Sequence, residues 1–214
     1  MNTLTNQLHG DQPVLTEGVP LDQAKSVMIL LHGRGASAED IMSLAGEFPH
    51  DKRAYLAPQA ADYTWYPYRF IEPIKHNEPW LSSTLERIDQ LVKKSENAGI
   101  ANNKIILAGF SQGACLVLEY AVRNARRFGG IIGFSGGLIG PPGTLWNFPG
   151  SLEETPVFLG CDQKDFHIPR ERVEETARLM SSRQAEVTMK LYPDLGHSIS
   201  MDEIHLSRDL IGDI

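Results

Sequence analysis

The stretch from Lys104 to Cys115 constrains the fold of this chain more than any other. Four apolar residues lead into the pattern Gly-Phe-Ser-Gln-Gly, which is centred on Ser111 and followed by an amphipathic run. This order predicts a buried strand that turns abruptly into a helix at the serine. Gly109 and Gly113 lack a Cβ, so the strand and the helix can approach each other closely. We therefore expect the hydroxyl of Ser111 to be presented at the carboxyl end of the strand, as a nucleophile.

Apolar runs of strand length alternate with amphipathic runs of helical length along the rest of the chain. Strands are predicted at 27–31, 53–58, 104–110, 130–134, 156–159 and 187–192, with a weaker signal at 14–17. Helices are predicted from the N-cap Ser37 to about Glu47, and at 78–97, 112–122, 169–183 and from 199 onward. The alternation predicts an α/β fold, a mostly parallel central sheet with helices on both faces. The length of 214 residues suits a single domain over 1–214 with a small lid or none.

Catalytic groups in such a sheet collect beyond the carboxyl ends of the strands. A serine hydroxyl needs a base within hydrogen-bond reach, and the base needs an acid to orient it. We assign the base to His197, which follows the last strand on a Gly-His turn. The acid is Asp165 or Asp162, which share the loop after the strand at 156–159. We favour Asp165 because Phe-His-Ile-Pro follows it and the proline would open a helix that fixes the loop.

Two backbone N–H groups are needed to stabilise the oxyanion of an acyl-transfer reaction. The N–H of Gln112 lies at the start of the helix after the nucleophile. The second donor is expected in the Gly-rich turn after the strand at 27–31, at Arg34. The Arg34 side chain could bind an anionic substrate or lie solvated on the surface. No cofactor is required, and we expect no metal site, although Asp162, Asp165 and His167 together could be read as metal ligands.

An aromatic segment follows the strand at 53–58. The long irregular stretch 59–79 carries five aromatic residues within eight positions: Tyr63, Trp65, Tyr66, Tyr68 and Phe70. A loop of this length in a compact domain is usually functional. We expect Trp65 and Tyr66 to form a wall of the substrate pocket, Trp65 foremost, although a packed surface loop is the alternative. Gly136, after the strand at 130–134, is expected to leave room for substrate.

Charge and composition exclude several classes of protein. The net charge is −7 and no block of lysine and arginine occurs, which argues against nucleic acid as a partner. No apolar run approaches the roughly 20 residues of a membrane span. The start of the chain lacks the features of a signal peptide. We therefore expect a cytoplasmic protein with Cys115 and Cys161 as reduced thiols. The expected partner is a small-molecule ester, and the protein is expected to be a monomer or homodimer.

Taken together, these motifs resemble the phospholipase/carboxylesterase family of α/β-hydrolases, which includes bacterial carboxylesterases and acyl-protein thioesterases. The resemblance rests on Leu-His-Gly-x-Gly from Leu31, Ala-Pro-Gln-Ala from Ala57, Gly-Phe-Ser-Gln-Gly, Phe-Ser-Gly from Phe134, Asp-x-x-Ile-Pro from Asp165, and Gly-His at 196–197. It implies Ser111, Asp165 and His197 as the catalytic triad and the N–H groups of Arg34 and Gln112 as the oxyanion hole.

Two segments depart from the thioesterase-like members of that family. Those members usually carry Leu-Gly-Asp after His-Gly, where this chain has Arg34-Gly-Ala. They also tend to have Trp-Phe-Asp where this chain has Trp65-Tyr-Pro. The resemblance therefore implies a serine carboxylesterase for small to medium esters. An acyl-protein thioesterase or lysophospholipase is the alternative, and a non-catalytic binding protein on the same scaffold is a third.

Overall fold

A computed structural model describes residues 8–214 of the chain, and its centre is a seven-stranded sheet. The strands are β1 Val14–Gly18, β2 Ser26–Leu31, β3 Arg53–Pro58, β4 Ile105–Phe110, β5 Gly130–Phe134, β6 Pro156–Asp162 and β7 Glu186–Tyr192. Their order across the sheet is β1-β3-β2-β4-β5-β6-β7. Strand β1 pairs antiparallel with β3, and every other pair is parallel. The carboxyl ends of the six parallel strands therefore share one edge.

Five α-helices in the described range 8–214 cover the two faces of the sheet. They are α1 Ala38–Met42, α2 Trp80–Asn97, α3 Gln112–Arg123, α4 Arg170–Ser182 and α5 Met201–Ile211. Helices α2, α3 and α4 share one apolar core, and α1 and α5 share the other. Alternate residues of β2 enter opposite cores, since Ile29 belongs to the first and Leu30 to the second. The predicted α/β-hydrolase architecture is confirmed.

All seven predicted strands are present; β1, β2 and β7 are each one residue longer than predicted, and β6 is three residues longer. Strand β6 continues past Leu159 to Asp162, because residues 160–162 pair with residues 190–192 of β7. Cys161 therefore lies within the strand rather than after it. Asp162 is the last strand residue, and the acid loop begins only beyond it.

The helices differ from the prediction mainly at their ends. Ser37 caps α1 through a reciprocal capping box with Asp40, as its sequence context predicts. The α-helix ends at Met42 and continues as a 3-10 helix over Ser43–Glu47, where the Ser43 hydroxyl donates to the Asp40 carbonyl. Helix α2 begins at Trp80, two residues later than predicted, because Pro79 takes the cap position with a non-helical backbone. None of the helices within residues 8–214 is long and apolar enough to cross a membrane.

Candidate active site

Ser111 lies on the abrupt turn between β4 and α3. Its backbone has φ 54° and ψ −116°, a left-handed conformation that costs energy for a residue with a Cβ. Its N–H donates to the Phe134 carbonyl at 2.9 Å. The flanking glycines make the turn possible, because a Cβ on Gly113 would lie 2.1 Å from the Leu31 carbonyl oxygen and one on Gly109 would lie 2.5 Å from Gly113. The close approach predicted for these two glycines is what holds the serine outward.

Ser111, His197 and Asp165 form one continuous chain of hydrogen bonds. The Ser111 Oγ lies 2.8 Å from His197 Nε2, and His197 Nδ1 lies 2.7 Å from Asp165 Oδ2. The other carboxylate oxygen of Asp165 accepts from the N–H groups of His167 and Ile168 at 2.8 and 3.1 Å. Burial alone would raise the pKa of Asp165, but these hydrogen bonds outweigh it and hold the pKa below its ordinary value. The carboxylate is therefore ionised and fixed in place beneath the imidazole.

Asp162, the alternative acid, does not contact the imidazole. Its Oδ1 accepts from the N–H of Lys164 at 2.6 Å and its Oδ2 accepts from the N–H of Gly196 at 2.8 Å. These backbone hydrogen bonds lower its pKa. Asp162 thus joins the acid loop to the turn that carries His197. It is a turn former, as its sequence context indicates, and it also ties two loops together.

The two backbone donors predicted for an oxyanion hole are both unoccupied by the protein. Within residues 8–214, neither the Arg34 N–H nor the Gln112 N–H donates to an acceptor. Buried His32 shapes the turn before Arg34. Its Nε2 accepts from the Ala60 N–H at 3.1 Å, so its Nδ1 carries the proton and donates to the Gly33 carbonyl at 2.7 Å. Burial lowers the pKa of His32, which keeps the ring neutral in this role.

The side chains of Arg34 and Gln112 hold the aromatic segment. The Arg34 guanidinium donates to the carbonyl oxygens of residues 66–68, each at 2.8 Å. The Gln112 amide accepts from the Trp65 N–H at 2.9 Å and donates to the Tyr66 carbonyl at 2.8 Å. The Tyr66 carbonyl is therefore shared by both residues. Arg34 is exposed, and its guanidinium makes three hydrogen bonds to these carbonyls.

A cavity of about 690 Å³ opens above Ser111, and both Ser111 and His197 line it. Its walls include Tyr66, Phe110 and Ile168. A volume of this order is typical of small-molecule sites. Of the three residues expected to contact substrate, Tyr66 is the one that lines the cavity.

Trp65 and Gly136, the other two residues expected to contact substrate, lie outside the lining of this cavity. Trp65 is fully buried, and its Nε1 donates to the His32 carbonyl at 2.9 Å. Its ring packs against the imidazoles of His32 and His9. Gly136 lies against α3, where a Cβ would come within 2.4 Å of the Ala114 Cβ. Trp65 anchors the aromatic segment in the core, and Gly136 lets the turn after β5 pack closely against α3.

Sequence reasoning missed several residues of the site. Arg69, Phe110 and His167 line the cavity, and His167 lies with its ring centroid 4.7 Å from that of His197. The available signal was position: Arg69 lies within the aromatic segment, Phe110 precedes Ser111, and His167 follows Asp165 by two residues. His9 is fully buried beneath the segment, where its ring bonds the Trp65 carbonyl and the Ala61 N–H. Its polar sequence context gave no sign of this burial.

The two cysteines are free thiols buried near the site. Cys161 lies with its Sγ 3.7 Å from Asp165 Oδ2, and Cys115 lines the cavity. Burial raises the pKa of each thiol to about 12. Neither is therefore a thiolate at neutral pH. Within the described part of the chain, no three His, Cys, Asp or Glu side chains are grouped so as to hold a metal ion.

The strand–serine–helix turn on a mostly parallel sheet defines the class, a serine hydrolase with the α/β-hydrolase fold. Residues 18–211 match the family described as Phospholipase/Carboxylesterase. The chain belongs to this family, which confirms the resemblance seen in its motifs. It is an enzyme of the carboxylic ester hydrolase type.

Individual relatives agree with this assignment. The crystal structure of a phospholipase/carboxylesterase from Dyadobacter fermentans is 44% identical, with a TM-score of 0.91 over 94% of this chain and 96% of that chain. Acyl-protein thioesterase 1 of Yarrowia lipolytica is 24% identical over 198 residues, which cover 84% of this chain and 87% of that protein. The Bacillus cereus carboxylesterase is 18% identical with a TM-score of 0.71, over 99% of this chain and 98% of that one, and shows the shared fold.

Proposed function

We propose that this enzyme hydrolyses small to medium carboxylic esters through an acyl-enzyme on Ser111. The observation that carries the proposal is the hydrogen-bonded chain from Ser111 through His197 to Asp165 at the floor of the cavity. In this proposal Ser111 is the nucleophile, His197 is the general base and acid, and Asp165 holds the imidazole tautomer.

Acylation begins when His197 Nε2 takes the proton of the Ser111 hydroxyl as Oγ attacks the ester carbonyl carbon. The carbonyl oxygen becomes negatively charged and accepts hydrogen bonds from the N–H groups of Arg34 and Gln112. Asp165 stabilises the imidazolium that forms, because its carboxylate stays ionised. His197 then gives the proton to the leaving alcohol, and the C–O bond breaks.

Deacylation repeats the same steps with water. His197 removes a proton from water as the water oxygen attacks the acyl carbon, and the same two N–H groups hold the oxyanion. The Ser111 oxygen leaves and recovers its proton from His197, which releases the carboxylic acid. Every proton in this sequence passes through His197 Nε2, so the mechanism requires no cofactor.

The test is the Ser111→Ala variant on 4-nitrophenyl esters of increasing acyl length. We expect kcat/KM to fall by about 10⁴-fold or more, in line with the loss of a triad nucleophile elsewhere. The far-UV circular dichroism spectrum and the melting temperature should match those of the wild type. Ser182→Ala, which removes an exposed hydroxyl from α4, is the matched control and should keep full activity. Turnover by Ser111→Ala close to the wild-type value would refute the proposal.

A thioesterase acting on acylated proteins is the second candidate, and the curated relatives favour it. Several of them are named acyl-protein thioesterase 1, at 24–30% identity. The same acyl-enzyme chemistry serves a thioester. Comparing kcat/KM for a palmitoyl thioester peptide with that for 4-nitrophenyl butyrate separates the two. A higher value for the butyrate supports the small-ester proposal, and a higher value for the thioester replaces it.

A further inference from the structure

The charged residues that line the cavity are not balanced. Apart from histidines, they are Arg34, Arg69 and Glu72. The chain as a whole carries a net charge of −7. The two arginines and one glutamate leave a surplus of one positive charge among these lining side chains, on an acidic protein. Apolar and aromatic walls around a charge strengthen its field within the cavity.

The guanidinium of Arg34 already has hydrogen-bond acceptors. Its guanidinium donates to three backbone carbonyls of the aromatic segment. A guanidinium has five N–H donors, so most of its capacity is used. Arg34 therefore holds the segment, and Arg69 has the freer of the two guanidinium groups.

Arg69 is the cation without a partner. Its side chain is exposed, and within residues 8–214 it makes no hydrogen bond or ion pair. Its backbone is nonetheless firmly held. Buried Asn77 accepts from the Tyr68 N–H at 2.9 Å and donates to the Arg69 carbonyl at 3.2 Å, and the Glu72 N–H donates to the same carbonyl at 3.0 Å. The backbone of Arg69 is therefore held in place, while its guanidinium is available to an anion.

Within residues 8–214, Glu72 forms no ion pair with Arg69. Glu72 lies 3.8 Å from the imidazole of His76, and both side chains are nearly half exposed. His167 lies on the cavity wall. Its partial burial and the neighbouring His197 lower its pKa, and the positive charge of Arg69 lowers it further. The charge of Arg69 therefore acts on His167, whose ring contacts that of His197.

We propose that the preferred ester substrate carries a carboxylate, which Arg69 binds in the cavity above Ser111. This rests on the proposed esterase function. A planar guanidinium can pair with a carboxylate through two parallel hydrogen bonds. A carboxylate is favoured over a doubly charged phosphate because one guanidinium in this cavity is unoccupied. The rest of the lining is mainly aromatic and aliphatic and suits the hydrocarbon part of the substrate.

The experiment compares matched esters that differ by one carboxylate. On the acyl side, the mono-4-nitrophenyl ester of adipic acid is compared with 4-nitrophenyl hexanoate, which has the same chain length. On the alcohol side, the acetate ester of 4-hydroxy-3-nitrobenzoate is compared with that of its neutral amide. The measured quantity is the carboxylate preference, which is kcat/KM for the carboxylate ester divided by kcat/KM for its neutral partner.

The variants are Arg69→Gln, Arg69→Lys and the control Arg178→Gln. Arg178 is exposed on α4 and does not line this cavity, so its replacement makes the same change in net charge elsewhere. At low ionic strength we expect Arg69→Gln to reduce the preference about three- to tenfold in one of the two pairs. Arg69→Lys should keep part of the preference, and Arg178→Gln should keep all of it. Added salt should weaken the wild-type preference, since the contact is exposed.

A change of less than threefold with Arg69→Gln in both pairs would overturn the proposal, as would an equal change with Arg178→Gln. The pair that responds also places the carboxylate on the acyl or the alcohol side. Ester turnover by the wild type, with a carboxylate preference that is the same in Arg69→Gln, would refute this inference alone. No turnover of any ester, together with no labelling of Ser111 by a fluorophosphonate, would refute the esterase function as well.

Discussion

Replacing Gln112 with methionine should destabilise the protein although the backbone N–H of that residue remains. The buried Gln112 amide links the start of α3 to the aromatic segment through the Trp65 N–H and the Tyr66 carbonyl. Methionine has a similar length and helix propensity, so the change removes two hydrogen bonds without leaving a large hole. The Tyr66 carbonyl keeps its bond from Arg34. The N–H of fully buried Trp65 loses its acceptor.

The size of the effect follows from these contacts. A typical intramolecular hydrogen bond contributes about 0.5–1.5 kcal/mol, and leaving a buried donor unpaired costs about 1–3 kcal/mol. The lost bond to Tyr66 and the orphaned Trp65 N–H together predict a loss of about 2–4 kcal/mol in the free energy of unfolding. For a domain of this size, 1 kcal/mol corresponds to roughly 2–4 °C in the melting temperature. The expected drop is therefore roughly 4–16 °C.

The assay is urea denaturation followed by tryptophan fluorescence, with calorimetry for the melting temperature. Gln23→Met provides the control, because Gln23 is exposed and the substitution is the same. The control should lie within about 0.5 kcal/mol of the wild type. A loss below 1 kcal/mol for Gln112→Met would show that the amide does not hold the aromatic segment. An equal loss in Gln23→Met would mean that the effect does not arise from these hydrogen bonds.

Three further predictions concern groups that support the site. Burial lowers the pKa of His9, so the unfolded chain binds its proton more readily and the free energy of unfolding should fall as pH drops below 6.5. His9→Gln should flatten this slope in urea titrations between pH 5 and 7.5, and equal slopes would contradict the reasoning. Burial raises the pKa of Glu203, one of whose oxygens has no partner within residues 8–214, so the native state loses stability as pH rises above 4.5. The stability of Glu203→Gln relative to the wild type should therefore increase with pH, and a gap independent of pH would refute this. Asp162→Ala should lower kcat about ten- to hundredfold by releasing the Gly196 turn that carries His197; unchanged kcat in steady-state assays on the folded variant would exclude that positioning role.

The strands and the hydrogen-bonded grouping of Ser111, His197 and Asp165 could be predicted, because local pattern and chain order determine them. Gly109 and Gly113 bracket Ser111 in the one context that requires glycine, and chain order placed Asp165 and His197 at the same sheet edge. The choice between Asp165 and Asp162 depended on Pro169, four residues after Asp165, which is a local signal. The structure adds that the two aspartates have different partners. Asp165 hydrogen-bonds the His197 imidazole, and Asp162 accepts from the backbone N–H of Gly196.

The pocket could not be predicted in the same way. An aromatic residue in a loop has the same sequence signature whether it faces substrate or the core, so Trp65 could not be told apart from Tyr66. The burial of Trp65 depends on His9 and His32, which come from distant parts of the chain. Likewise, the commitment of Arg34 to backbone carbonyls depends on the path of the segment at 66–68. Long-range packing decides these roles, and no local pattern encodes it.

The most direct test of the proposed mechanism is the site of covalent labelling by a fluorophosphonate, read by mass spectrometry of the intact protein and its peptides. The account predicts one label per chain, on the peptide containing Ser111, together with loss of ester hydrolysis. Ser111→Ala should take up no label, and His197→Ala should label far more slowly because the base is gone. A label on another residue, or a fully active enzyme after Ser111 is modified, would contradict the account.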